Sequence, residues 1–123
     1  MYKVIWLTKF RPDLPREQVL EWWRGHHGDV AKATPGMLRY VQSHWVSALD
    51  PTTHQPSGAP YFDGHAEHWF ENKDAYDAAM ASPEWALTQI DGPDGFASTT
   101  LIGAALEETV ISWHPMDDGR GSP

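Results

Sequence analysis

The chain is expected to be α+β: a four-stranded antiparallel sheet with helices on one face. Three observations carry that expectation. Stretches rich in β-branched and aromatic residues alternate with stretches of helical period, in the order strand, helix, strand, strand, helix, strand. Breaks containing Pro, Gly, Asn or Ser separate them. The length, 123 residues, suits one domain around a single core.

Tyr2 to Phe10 (YKVIWLTKF) reads as the first strand. Arg11-Pro12-Asp13-Leu14-Pro15 ends it, and Pro15 suits the first position of a helix with Glu17 in its first turn. That helix runs to about His26, with Gly28 placed to stop it in the left-handed conformation. Asp29 to Ala33 adds a short turn before Pro35-Gly36. Leu38 to Val46 is the second strand; Tyr40, Gln42 and His44 share one face, while Arg39, Val41, Ser43 and Trp45 share the other. Asp50 to Pro60, with three Pro and one Gly, is a loop. Asp63 to Phe70 is the third strand, with His65, Glu67 and Trp69 on one face and Ala66, His68 and Phe70 on the other. Asn72 is the N-cap of a helix through Met80, and Ser82-Pro83 starts another that ends before Gly92-Pro93. Gly95 to Thr100 reads as irregular, and Glu107 to Trp113 (EETVISW) as the last strand. This order is a split βαβ repeat, the ferredoxin-like arrangement. Its sheet has one bare face, and the simplest cover in so short a chain is a second copy of the sheet. Residues 1–113 form the expected domain and 114–123, rich in Gly, Pro and Asp, a flexible tail.

A formal charge of −8 with nine scattered Lys and Arg argues against nucleic acid and anionic membranes as partners. The absence of Cys excludes disulfides, thiolate nucleophiles and Cys-based zinc sites. No apolar run reaches 18 residues and no signal peptide is visible, so a cytoplasmic location is the expectation. Seven Trp are an excess that suggests an aromatic-lined cavity or interface, or a core that simply uses Trp.

The densest chemistry lies in Trp22-Trp23-Arg24-Gly25-His26-His27-Gly28-Asp29. Val19, Trp22, Trp23, His26 and His27 recur at the spacing of one helical face, so a stripe that begins apolar ends in two imidazoles. An imidazole buried beside indoles is biased toward its neutral form and is suited to proton transfer near pH 7. The alternative is a pair of satisfied histidines at a helix C-terminus, where the dipole favours a cation.

Phe10-Arg11-Pro12, Trp23-Arg24, His27-Gly28, Pro35-Gly36 and Arg39-Tyr40-Val41-Gln42-Ser43-His44, followed by Ala66-Glu67-His68-Trp69-Phe70 and Ala81-Ser82-Pro83-Glu84, resemble the EthD family in order and spacing over about residues 2–112. The resemblance implies a dimeric α/β barrel, in which two such sheets pack across a two-fold axis. It does not imply one reaction: relatives include ring-lactone isomerases, polyketide cyclases, decarboxylases, dehydratases and cofactor-free oxygenases. His27 matches the family's helix-end histidine and Tyr40 its strand tyrosine, a pair that lines the substrate cavity in a lactone methyl-isomerase relative.

The physical reading of the residues agrees with that implied pair. A short return after the helix can bring His27 over the strand face that shows Tyr40, so that an imidazole moves a proton while a phenol holds a carbonyl. The alternative is that Tyr40 only satisfies His27. Trp23, His26, His44, His54 and Trp69 are the candidates for lining a substrate pocket, and Val41 and Trp45 for the dimer face. Asp29 either orients an imidazole or caps the following turn. His65-Ala66-Glu67-His68 invites a metal reading, but on a strand only His65 and Glu67 are cofacial and the helical metalloprotease geometry is absent; a three-ligand site that also draws on His26, His27 and His44 is the minor alternative. No metal or cofactor is expected. No phosphate loop, nucleophile elbow or glycosidase carboxylate pair is present. The leading expectation is a homodimeric, cofactor-independent isomerase or lyase for a small hydrophobic oxygenated ring compound such as a lactone, quinone-like or polyketide-derived molecule. The alternatives are a non-catalytic binding or accessory protein and a cofactor-free monooxygenase.

Overall fold

A computed structural model describes residues 1–115, so most of the expected tail, from residue 116 onward, lies outside the described residues. Four strands, β1 (Tyr2–Phe10), β2 (Arg39–His44), β3 (Gly64–Phe70) and β4 (Phe96–Ala105), form one antiparallel sheet in the order β2-β3-β1-β4. The helical segments α1 (Arg16–Trp22), α2 (Gly28–Lys32), α3 (Lys73–Met80) and α4 (Pro83–Asp91) cover one face. The ferredoxin-like α+β fold read from the element order is the fold observed. Alternate residues of β1 and β3 (Val4, Thr8, Phe10, Ala66, His68 and Phe70) are buried beneath the helices, while Lys3, Ile5, Leu7, His65, Glu67 and Trp69 are only half-buried on the other face. Period-two alternation along a half-covered sheet produces this division.

The core has two parts. Phe10, Val19, Trp23, Ala66 and Phe96 meet under α1, and Val4, Phe70 and Ala79 meet under α3. The cap on α3 is the one expected: Asn72 Oδ1 accepts from the Ala75 amide at 2.8 Å. Ser82 does the same for α4, accepting from the Trp85 amide at 3.1 Å with Pro83 as the first helical residue. Asn72→Ala should therefore cost about 1 kcal/mol, read as a lower urea midpoint at unchanged slope, and Asn72→Asp should recover most of it.

Three local expectations need correction. Pro15 stands just before α1 rather than in it, with its carbonyl accepting from the Gln18 and Val19 amides. Gly28 does not stop the helix: its φ is −59°, and α1 continues through a π-helical turn, Trp23–His27, straight into α2. The left-handed glycine that follows the helix is Gly36, with φ +77°. Gly28 is needed for space instead. The Trp23 carbonyl accepts both the Gly28 amide across the π turn and Gln42 Nε2 at 2.9 Å, and a Cβ on Gly28 would stand 3.1 Å from that oxygen and 3.3 Å from that nitrogen.

The third correction concerns the last strand, which is Phe96–Ala105 and not Glu107–Trp113. Its register runs from Phe10↔Phe96 to Lys3↔Ala105, so the available length of β1 is already paired before residue 107. Small and hydroxylated residues with poor apparent patterning thus become a strand because a partner edge begins just after the Gly95 turn. Glu108 still ties the following segment to the sheet through Lys3, at 2.6 Å.

Candidate active site

A cavity of about 250 Å³ lies between the sheet and the helices. Its walls are Trp6 and Thr8 of β1, Trp23 and His27 of the π turn, Ala66 and His68 of β3, Trp85 and Thr88 of α4, and Phe96 at the start of β4. Pro93, Ala97, Ser98 and Thr99 form an exposed rim. The lining is aromatic, with a few hydroxyls and two imidazoles, a composition suited to a mostly apolar ligand held by one or two polar groups.

The π turn sets His27. Trp23 and His27 lie on the buried side of this turn, while His26 projects to solvent with two-thirds of its side chain exposed. His27 is clamped between Trp22, at 4.7 Å between ring centres, and Phe96, at 5.2 Å. Trp22 in turn lies flat over Gly95, where a Cβ would fall 2.3 Å from the indole carbons. Any side chain at that position would drive Trp22 off the imidazole.

Asp91 fixes the protonation pattern of His27. Its Oδ2 lies 2.8 Å from His27 Nδ1 and its Oδ1 lies 3.1 Å from His26 Nε2. A carboxylate can only accept, so Nδ1 of neutral His27 carries the proton and Nε2 keeps its lone pair. Burial pulls the His27 pKa below the usual 6.5, against the opposing pull of Asp91, with His26 adding slightly to the fall. The ring is thus neutral near pH 7, with a basic nitrogen that no residue among those described engages. Asp29, the carboxylate considered for this role, pairs with Lys32 at 2.9 Å on the surface. Asp91 was legible in one respect: an acid at the C-terminal end of a helix opposes the dipole and calls for a compensating cationic or imidazole partner.

The other candidates disperse. Tyr40 faces the helices as expected but does not line the cavity. Its ring stands edge-on behind His68 at 4.9 Å, its hydroxyl accepts from Gln42 Nε2 at 2.7 Å, and burial raises its pKa. Gln42 Oε1 accepts from His44 Nε2 at 2.9 Å, so Tyr40, Gln42, His44 and the Trp23 carbonyl form one polar chain along β2. His44 packs edge-on to Trp23 and has its pKa lowered by burial and by Arg24 and Arg16, but it too lies outside the cavity. His54 is exposed at the tip of a loop closed by the Leu49–Pro56 bridge, at φ +62°. Trp69 lies on the opposite face of the sheet, beneath the cations of Lys3 and Arg39. Only Trp23 and His27 of the candidates meet in the cavity.

His68 is the cavity residue missing from that set. It is 4% exposed, lines the cavity and packs against Tyr40 and Trp85. Burial, with His27 nearby, lowers its pKa to about 4. The signal was a histidine in register with Ala66 and Phe70 on a strand face that is otherwise apolar. No cluster of three His, Asp or Glu among the described residues is arranged to hold a metal. His65 and Glu67 make a 3.5 Å pair on the bare face, away from His68. No helix among the described residues is long and apolar enough to cross a membrane.

A ferredoxin-like sheet with an imidazole-containing cavity beneath its helices defines the class. The EthD domain model matches residues 11–100, and the chain belongs to the EthD family. An ethyl tert-butyl ether D (EthD) family protein from Bacillus halodurans superposes with a TM-score of 0.70 at 19% identity, over 88% of this chain and 99% of that one. A hydroxynitrile lyase from Passiflora edulis gives 0.60 at 15% identity, over 89% and 95%. A dimeric protein of unknown function with a ferredoxin-like fold, from Bacteroides fragilis, gives 0.56 at 15%, over 85% and 93%. At these identities the likeness is one of fold. No curated protein sequence matches the chain.

Proposed function

We propose that the chain is a small cofactor-independent enzyme of the isomerase or lyase type, acting on a compact, hydrophobic oxygenated ring compound such as a lactone or quinone-like molecule. One observation carries this reading: an Asp91-oriented, neutral His27 whose Nε2 lone pair is left to an aromatic cavity. In the reaction, His27 Nε2 takes a proton from carbon next to a carbonyl. The C–H electron pair moves into the ring as an enolate, and Asp91 stabilises the imidazolium that forms. Return of the proton at another carbon isomerises the ring, and departure of a leaving group instead makes the reaction an elimination. Tyr40 acts from behind His68 as a positioning residue. At about 250 Å³ the cavity is below the range of drug-sized sites, which favours a single substituted ring. The same fold carries a hydroxynitrile lyase in Passiflora edulis. The test is exchange of the substrate's α-proton for deuterium in D₂O, followed by NMR across a panel of compact lactones and enones. Exchange above buffer that tracks His27 supports the reading; its absence across the panel, with ligands bound, favours a carrier.

The working unit is a homodimer in this proposal. The uncovered sheet face carries Ile5, Leu7, Val41, Trp45 and Trp69, and a structural neighbour is described as dimeric. Leu101, Ile102, Leu106, Ile111 and Trp113 add exposed apolar surface along and beyond β4. Covering these with a second copy would bury on the order of 2,000 Å². Light scattering at micromolar concentration should return about twice the chain mass of 13.9 kDa. A monomer at that concentration would exclude the barrel.

A further inference from the structure

His68 carries an anomaly that the proton-transfer chemistry of His27 does not use. Its Nδ1 is sealed from solvent and has no hydrogen-bond partner. Its Nε2 makes no hydrogen bond to any described residue and is not among the sealed, unpartnered atoms, although the residue is 4% exposed; the open space it meets is the cavity it lines. A neutral imidazole has one N–H and one lone pair. Sealing an N–H without a partner is costlier than sealing a lone pair, and orphaned buried N–H groups are rare. The proton of His68 therefore belongs on Nε2, facing the cavity. His27 is the mirror case, because Asp91 claims its Nδ1–H and leaves the Nε2 lone pair inward.

We infer that His27 and His68 form a complementary pair of opposite tautomers, an acceptor and a donor, that binds a planar, enolisable carbonyl compound, with His68 Nε2–H as the hydrogen-bond donor to its oxygen. With His27 as the proton acceptor proposed above, the α-carbon's proton goes to His27 Nε2. The C–H electron pair becomes the new C=C bond, and the carbonyl π pair moves to oxygen. His68 donates a hydrogen bond to that oxygen throughout and keeps its proton. An aromatic surround strengthens such a bond, and the barrier falls because it tightens as charge develops. Burial, which keeps His68 neutral well below pH 7, holds it in the donor form without making it an acid. T-shaped contacts with Tyr40 at 4.9 Å and with Trp85 at 5.9 Å between ring centres hold the plane of the ring. The selected ligands are uncharged carbonyl, enol or phenol groups. A carboxamide N–H at the oxygen position would face a donor and be rejected.

Two measurements test this pairing without a known substrate. Long-range ¹H–¹⁵N spectra of the intact chain, assigned by loss of signals in His27→Gln and His68→Gln, should show His27 protonated at Nδ1 and His68 at Nε2. Binding of 4-nitrophenol, an enol mimic, followed by tryptophan quenching where the phenol form dominates, should weaken about tenfold in His68→Leu. It should stay within about threefold of wild type in His68→Gln, which restores a donor. His68 protonated at Nδ1, or wild-type affinity in His68→Leu, overturns the pairing. If His68→Leu does not fold, the spectra and the His68→Gln affinity decide. Loss of deuterium exchange in His27→Ala together with unchanged binding in His68→Leu would refute the pairing and leave the His27 reading standing. The expected tautomers and His68-dependent binding, with no exchange of any carbonyl compound, would support the pairing and refute the catalytic reading.

Discussion

His27→Ala is expected to lower kcat by about 10²-fold or more, with fold and oligomeric state unchanged. The side chain is lost from a cavity wall and not from the centre of the core, so circular dichroism and light scattering should match the parent. What disappears is the one basic nitrogen left facing the cavity by the Asp91 hydrogen bond. Asp91→Asn should act through the same atom. An amide side chain can donate to His27 Nδ1 and so allow the proton to move to Nε2, which is the wrong tautomer for a base. The pH profile separates a base from a packing residue. The limb of kcat/KM that reports His27 should lie below 6.5, because burial outweighs the pull of Asp91, and it should be missing from His27→Ala. His26→Ala should leave kcat near wild type, since His26 touches only the outer oxygen of Asp91 and is largely exposed. A folded His27→Ala chain with wild-type turnover would remove His27 from the chemistry.

The sheet order was legible because strong local signals agreed: the β-branched run Tyr2–Phe10, the alternation along β2 and β3, and the caps Asn72 and Ser82. The failures lie where tertiary pairing outranks local preference. Ser98, Thr99 and Gly103 become strand because β1 offers an edge, and Glu107–Trp113 stays irregular because that edge is already filled. Gly28 looked like a helix stop, yet the bonds to the Trp23 carbonyl make it the floor of a π turn. In the site, His27 could be read from a stripe on one helix. Its partner Asp91 lies 64 residues away, and no periodicity within one element can reveal such a pair. Tyr40 points to the correct side of the sheet, but the distance from a strand to a cavity depends on what stands between them, and His68 does. Trp69 had the opposite problem: its alternation placed it with His65 and Glu67, on the face the helices do not cover.

Acid should unfold the protein earlier than its surface carboxylates alone would predict, and His68 should account for about 3 kcal/mol of the loss. In the folded state its pKa falls from 6.5 to about 4, whereas the unfolded ring titrates at its ordinary value. Between those values the unfolded chain holds more protons, so stability is full above 6.5, declines as pH falls, and levels off near 4. The cause is burial first and His27 second. Tyr40 is the other titratable group against the ring, and it is neutral throughout this window. His27, also pulled below 6.5, adds to the decline in the same direction. Urea titrations at pH 7 and pH 4.5, at one fixed protomer concentration, should show His68→Gln losing less stability than the wild type across that interval. The variant's side chain is uncharged at both pH values, while the contributions of Asp13 and Asp50, whose pKa values are lowered by Arg11 and by the Thr53 and Thr52 amides, remain in both proteins and cancel in the difference. Parallel curves would mean that the His68 ring is charged in the folded state near pH 5, and hence that the cavity around it is wetter than its aromatic walls imply. A steeper wild-type curve would show that burial of an unpartnered imidazole, tolerable while it is neutral, is what the fold cannot sustain once the ring takes a proton.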